Sequence, residues 1–173
     1  GCFAPYLTFL NARETNDVWY TAVLPVTKRE SVLGKCLFVV FIQMFQLFFS
    51  IPFTLLRNTL NIANNPVGLD ATAAWYGLGF ILYAIFDLVF LTTYYKDGYK
   101  VGKSLILAAI PMVLLMAATE ATAHIPSLAW MDSYKPKHLL MQLPILIAGI
   151  VCYGAFLPLA YRISAKRFEK VDL

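Results

Sequence analysis

The run Cys36–Leu56, CLFVVFIQMFQLFFSIPFTLL, holds 21 residues and no charge. At about 1.5 Å rise per residue, a helix of that length crosses a hydrocarbon core of about 30 Å. Three further stretches have the same character: Ala71–Tyr95 is 25 residues with one acid, Asp87; Ser104–Ala123 is 20 with one acid, Glu120; and Leu139–Tyr161 is 23 with none. The whole chain of 173 residues is 60% hydrophobic and 14% charged, with mean hydropathy +0.66. A soluble domain is nearer half apolar and about a quarter charged. The fold class is therefore all-α, a polytopic helical membrane protein forming a single transmembrane domain over residues 1–173, with spans at about 36–56, 71–95, 104–123 and 139–161.

Composition also excludes other classes. The net charge of +4 and pI near 9.0 come from basic loops flanking spans, so no nucleic-acid partner is expected; membrane lipids are. Cys36 and Cys152 fall in or at the edge of spans and Cys2 in the apolar N-terminal stretch, so they read as buried thiols rather than a disulfide framework. The run Cys2–Leu10 is too short to span and carries no signal-peptide pattern; residues 1–12 read as the end of a helix that begins earlier.

Orientation follows from lysine and arginine in the short loops. Arg13–Lys35, Lys96–Lys103 and the tail from Arg162 together carry eleven basic residues, whereas Arg57, Lys135 and Lys137 on the other side make three. The first side is read as cytoplasmic, which puts the C-terminus there, in a multi-pass protein of the cell membrane. Trp75, Tyr76 and Trp130 near the outer boundary, and Tyr94, Tyr95 and Tyr161 near the inner one, are expected to be interfacial anchors.

Between Asn11 and Lys35 the chain has 25 residues, more than adjacent helices need to turn around. Asn16 and Asp17 can cap a short helix in which Trp19, Tyr20, Val23 and Leu24 share one apolar side and Pro25 ends it. Thr27-Lys28-Arg29-Glu30 is then a capping box that starts the next helix. Periodicity leaves two readings open: an interfacial elbow that stabilises the turn, or a docking surface for a cytoplasmic partner.

The stretch Leu24-Pro25-Val26-Thr27-Lys28-Arg29-Glu30-Ser31-Val32-Leu33-Gly34-Lys35, about ten residues after Glu14, resembles the junction of type-2 ABC exporter permeases. In that family a coupling helix is followed by Leu-Pro, a hydroxyl residue, basic residues and Gly-Lys at the next span. The resemblance implies a six-span permease, its N-terminal part missing here, with residues 13–35 as the cytoplasmic coupling segment. It further implies an ABC nucleotide-binding ATPase subunit whose groove receives Glu14, Asp17, Trp19, Tyr20, Val23 and Leu24, and a second permease subunit, identical or not. ATP and Mg are then bound by the partner, with no cofactor and no catalytic residue in this chain. Similarity to compact bacterial peptide and drug exporters implies export of a small amphipathic substrate across the bacterial plasma membrane, a peptide as first choice, with drugs and lipids as the alternatives. Asn16-Asp17-Val18-Trp19 departs from the family pattern, where many members have a Gly-Thr pair.

The chain does not supply its own ATPase. Gly98-Tyr99-Lys100-Val101-Gly102-Lys103-Ser104 is one residue short of a phosphate-binding loop and follows a span rather than a buried strand.

Polar residues within spans mark the substrate path or helix interfaces. Gln43, Gln46, Ser50, Thr54 and Arg57 are spaced 3, 4, 4 and 3, within roughly 80° of one helical face. They serve either as interhelical hydrogen-bonding groups or as the lining of a path or dimer interface. Asp87 lies well inside its span, where an acid costs about 2.5 to 3.5 kcal/mol, so it requires a partner or a proton. Glu120 has His124 at i+4, but the spacing of these and of Asp132 and His138 supports no metal site. An alternative from another class is a membrane-embedded hydrolase using Asp87, Glu120 or His124. Pro52, Pro111, Pro144 and Pro158 are read as kinks that neighbouring helices compensate.

Overall fold

The computed structural model describes residues 3–14, 26–60, 69–96, 100–122 and 124–170. In chain order these form α1 (Phe3–Glu14), α2 (Lys28–Thr59), α3 (Ala73–Tyr94), α4 (Val101–Thr122), a 3-10 helix (Pro126–Asp132) and α5 (Pro136–Glu169), with no strand among the described residues. Helices α2 to α5 are each long and apolar enough to cross a membrane. Valine, isoleucine and phenylalanine favour strands in water. Within hydrocarbon, however, backbone N–H and C=O groups find partners only along the helix, and that requirement overrides propensity.

Two helices overrun the charge-free stretches that predict them. Helix α2 begins at Lys28, and its start is set by the capping box. The Glu30 carboxylate accepts the Thr27 backbone N–H at 2.7 Å and its hydroxyl at 2.8 Å, and Glu30 N–H donates to Thr27 Oγ1 at 3.2 Å. The backbone hydrogen bond first, and then the hydroxyl, hold the Glu30 carboxyl below the usual carboxylate range. Helix α5, with 34 residues, is about 51 Å long at 1.5 Å per residue, so its last turns stand beyond the hydrocarbon.

Helix α3 is central: nine of its 22 residues are buried, against three of 22 in α4. It crosses α5 at two glycines. A Cβ on Gly77 would lie 2.5 Å from the Ile145 carbonyl oxygen, and one on Gly149 would lie 2.8 Å from the Gly77 carbonyl carbon. The two backbones therefore touch, which only glycine permits.

At the end of the bundle where α2 starts and α3 and α5 finish, Phe9 of α1 packs edge-on against Tyr94 with ring centroids 4.6 Å apart and against Phe90 at 5.4 Å, and Phe168 of α5 packs on Tyr95 at 5.4 Å. Tyr94 and Tyr95 are accordingly buried core residues, not the interfacial anchors expected from their position. Helix α1 covers them, and a hydropathy pattern has no way to register that packing.

Candidate functional site

The helices bring together one buried polar cluster within the membrane-spanning region. Gln43 on α2 is 0% exposed and Asp87 on α3 is 1% exposed. Gln43 Nε2 donates to Asp87 Oδ1 at 2.9 Å, and the Tyr153 hydroxyl of α5 donates to Gln43 Oε1 at 2.6 Å. Gln43 lies seven positions after the start of its apolar stretch, and Asp87 and Tyr153 lie eight before the end of theirs, which is why α2, antiparallel to α3 and α5, presents its residue at the same level as theirs. Gln43 uses its amide in both senses, accepting from one helix and donating to another, so it ties α2 to both neighbours. Asp87 Oδ2 has no hydrogen-bond partner among the described residues. The partner that an acid in a span requires is thus an amide rather than a cation.

The other polar residues of α2 behave differently from one another. Ser50 Oγ lies 2.9 Å and Thr54 Oγ1 3.4 Å from the Tyr76 hydroxyl of α3, and Arg57 Nη1 lies 2.5 Å from Asp70 Oδ1. Gln46 is exposed, at the edge of the arc and away from the packed face. The stripe expected from spacing is therefore an interface with α3 along most of its length, and Gln46 lies outside it.

Glu120 belongs to a second cluster, at the end of the bundle where α4 finishes and α3 and α5 start. Its Oε2 accepts the Leu69 backbone N–H at 3.1 Å, while Asp132 Oδ1 accepts that of Asp70 at 2.6 Å. Thr72 Oγ1 donates to the Met131 carbonyl at 2.8 Å. Gln142, 0% exposed, donates to the Trp130 and Ser133 carbonyls at 2.8 and 3.0 Å and accepts from Ala74 N–H at 3.3 Å. These bonds pin the loop before α3 and the 3-10 helix onto the helix ends, satisfying backbone groups that would otherwise be buried without partners. Beside Glu120, a cleft of about 190 Å³ between α3 and α4 is lined by Trp75, Leu78, Leu82, Met116 and Thr119.

At the opposite end, Arg29 Nε lies 2.5 Å from Glu169 Oε1 and Arg29 Nη2 lies 3.3 Å from Oε2, a two-point ion pair between the start of α2 and the end of α5. The hydrogen bond to Glu169 raises the Arg29 pKa, and the same bond holds the Glu169 carboxyl below the usual carboxylate range. Arg167 donates to the Thr92 carbonyl, joining α5 to α3 at the same level.

Of the residues expected at a coupling surface, Glu14 ends α1 and is exposed; Asp17, Trp19, Tyr20, Val23 and Leu24 lie outside the described residues. Neither Tyr153 nor Gln142 is singled out by the sequence, and Tyr76 is expected from it only as an interfacial anchor, not as a partner of Ser50 and Thr54. Tyr153 had a signal, since a phenol eight positions from the end of the charge-free stretch 139–161 calls for a partner as Gln43 does.

Chemically, the buried cluster pairs an acid with an amide and a phenol, and Glu120 is engaged with backbone in a separate cluster. No group of three His, Cys, Asp or Glu side chains able to hold a metal ion occurs among the described residues. The arrangement joins helices.

No curated protein and no solved structure matches the chain. A family model, described as ABC-2 family transporter protein, matches residues 2–169. That match takes in all four apolar helices and the segment before them, and the chain belongs to the ABC-2 family, the membrane components of ABC transporters that associate with an ABC ATPase partner.

Proposed function

We propose that the chain is the permease subunit of an ATP-driven exporter that couples hydrolysis in its partner to outward movement of a small amphipathic substrate, a peptide. ATP and Mg are held by the partner, and two permease subunits, identical or not, form the path in a bacterial plasma membrane with the C-terminus cytoplasmic. The observation that carries this reading is the family match over residues 2–169, and the construction of α2 supports it. This helix starts at a capping box immediately after residues 15–25. It is tied to α5 by Arg29 and Glu169 at its base, and to α3 and α5 by Gln43 deeper in the membrane. A displacement delivered to its N-terminus therefore reaches both neighbours through directional bonds.

On this reading Glu14, Asp17, Trp19, Tyr20, Val23 and Leu24 contact the ATPase. Gln43, Ser50, Thr54 and Asp87 hold the moving helices together. Gln46, exposed in the midst of an apolar face, meets substrate or the second permease. The cleft beside Glu120, with apolar walls and one acid, suits an amphipathic cation. Affinity purification of the full-length protein from native membranes tests the class: a stoichiometric ATP-binding subunit is expected, and hydrolytic activity of the chain alone in the absence of ATP would favour the membrane-embedded enzyme instead.

A further inference from the structure

A cleft of about 340 Å³ opens between the start of α2 and the end of α5, lined by Arg29, Tyr161, Arg162, Ala165 and Lys166. Three cations converge there. Glu169 pairs with Arg29 and acts electrostatically on Lys166 and Lys28 as well, so one carboxylate faces several cations, and Arg162 and Lys166 are both exposed. Arg162 is the first charge after the charge-free stretch 139–161, so the cleft sits where hydrocarbon gives way to the polar layer.

The surfaces leading away from the cleft into the membrane are apolar and exposed on both helices. Along α2, Arg29 is followed at four-residue steps by Leu33 and Leu37; along α5, Arg162 is preceded on the same face by Leu159. On α5 the cation Arg162 thus sits at the boundary with Leu159 one turn deeper, and on α2 Arg29 stands seven residues before Cys36 with Leu33 and Leu37 one and two turns deeper. An inorganic anion matches only the first half of that pattern, whereas a phospholipid with a net negative headgroup matches both.

We infer that the Arg29–Arg162–Lys166 cleft is a binding site for the headgroup of an anionic glycerophospholipid, whose acyl chains lie along Leu33, Leu37 and Leu159. Guanidinium and ammonium groups donate to the phosphodiester, with the Tyr161 hydroxyl as a further donor. A net negative charge on the lipid balances the surplus that Glu169 leaves. The site requires that these helices span a bilayer and is independent of what the protein transports.

Native mass spectrometry of the purified full-length permease tests this, with dioleoylphosphatidylglycerol and dioleoylphosphatidylcholine offered in equal amounts. Each cation beside an anionic headgroup is worth about a fivefold preference, so the wild-type protein should retain the anionic lipid in large excess. The double variant Arg162→Gln with Lys166→Gln should bind the two lipids about equally, and Arg162→Lys with Lys166→Arg should restore the preference, which separates lost charge from lost fold. Undiminished preference in the glutamine variant, or none in the wild type, overturns the assignment. So does displacement of phosphatidylglycerol by millimolar inorganic phosphate, which would make this a site for free phosphate.

Discussion

Asp87 accepts one hydrogen bond from Gln43 and leaves its second oxygen unpartnered among the described residues, in a helix where an acid is costly. Two roles give opposite mutational patterns. If the carboxyl serves only to tie helices, Asp87→Asn keeps an acceptor for Gln43 Nε2 and is tolerated. Asp87→Leu then orphans a buried amide, which costs about 1 to 3 kcal/mol, seen as lower membrane abundance and a lower melting temperature in detergent. If the acid's charge or proton takes part in transport, Asp87→Asn folds normally yet exports poorly. The geometry favours the tie, so near-normal export by Asp87→Asn and destabilisation by Asp87→Leu are the expected results. That Asp87 required a partner was legible from sequence; that the partner is Gln43 was not, because helical spacing gives the face of α2 but not the rotation and depth at which α3 meets it.

Glu169 carries a second expectation at this scale. Its pKa is depressed in the folded protein by the hydrogen bond from Arg29, so the pair contributes stability above the usual carboxylate range. That contribution is lost as pH falls through the lowered value. Glu169→Gln should accordingly melt at a lower temperature than wild type near neutrality, with the difference vanishing on acidification. A difference independent of pH would mean that Glu169 acts by packing alone.

At the level of elements, the crossing of α3 and α5 at Gly77 and Gly149 decides the architecture. Adding a methyl at either position places it against rigid backbone rather than the end of a flexible side chain, and overpacking of this kind costs about 1 to 3 kcal/mol. Gly149→Ala should lower melting temperature and membrane abundance, whereas Gly154→Ala, with open space around its Cβ position, should leave both unchanged and is the control. Four spans were legible because lipid enforces helix wherever about 20 apolar residues run together. Their contacts were not, since hydropathy is silent on which faces meet. Tyr94 and Tyr95 illustrate the point: their distance from the span centre suggests the interface, yet Phe9 and Phe168 enclose them. The α2 start was legible from Thr27 and Glu30, because a capping box is local in sequence and its bonds close within three residues.

For the whole molecule, α2 is joined to the rest of the bundle through Arg29, Gln43 and Arg57, and the proposed coupling brings the motion of an ATPase partner into α2 through residues 15–25. The most direct measurement reconstitutes the full-length permease with its copurified ATPase in proteoliposomes and follows ATP hydrolysis and movement of a labelled amphipathic peptide together. Wild type is expected to transport peptide in proportion to ATP hydrolysed, while Trp19→Ala combined with Leu24→Ala leaves the permease folded and abolishes that proportionality, either by hydrolysis without transport or by loss of the ATPase. Transport at the wild-type rate by the double variant, with its ATPase normally bound, would contradict the account.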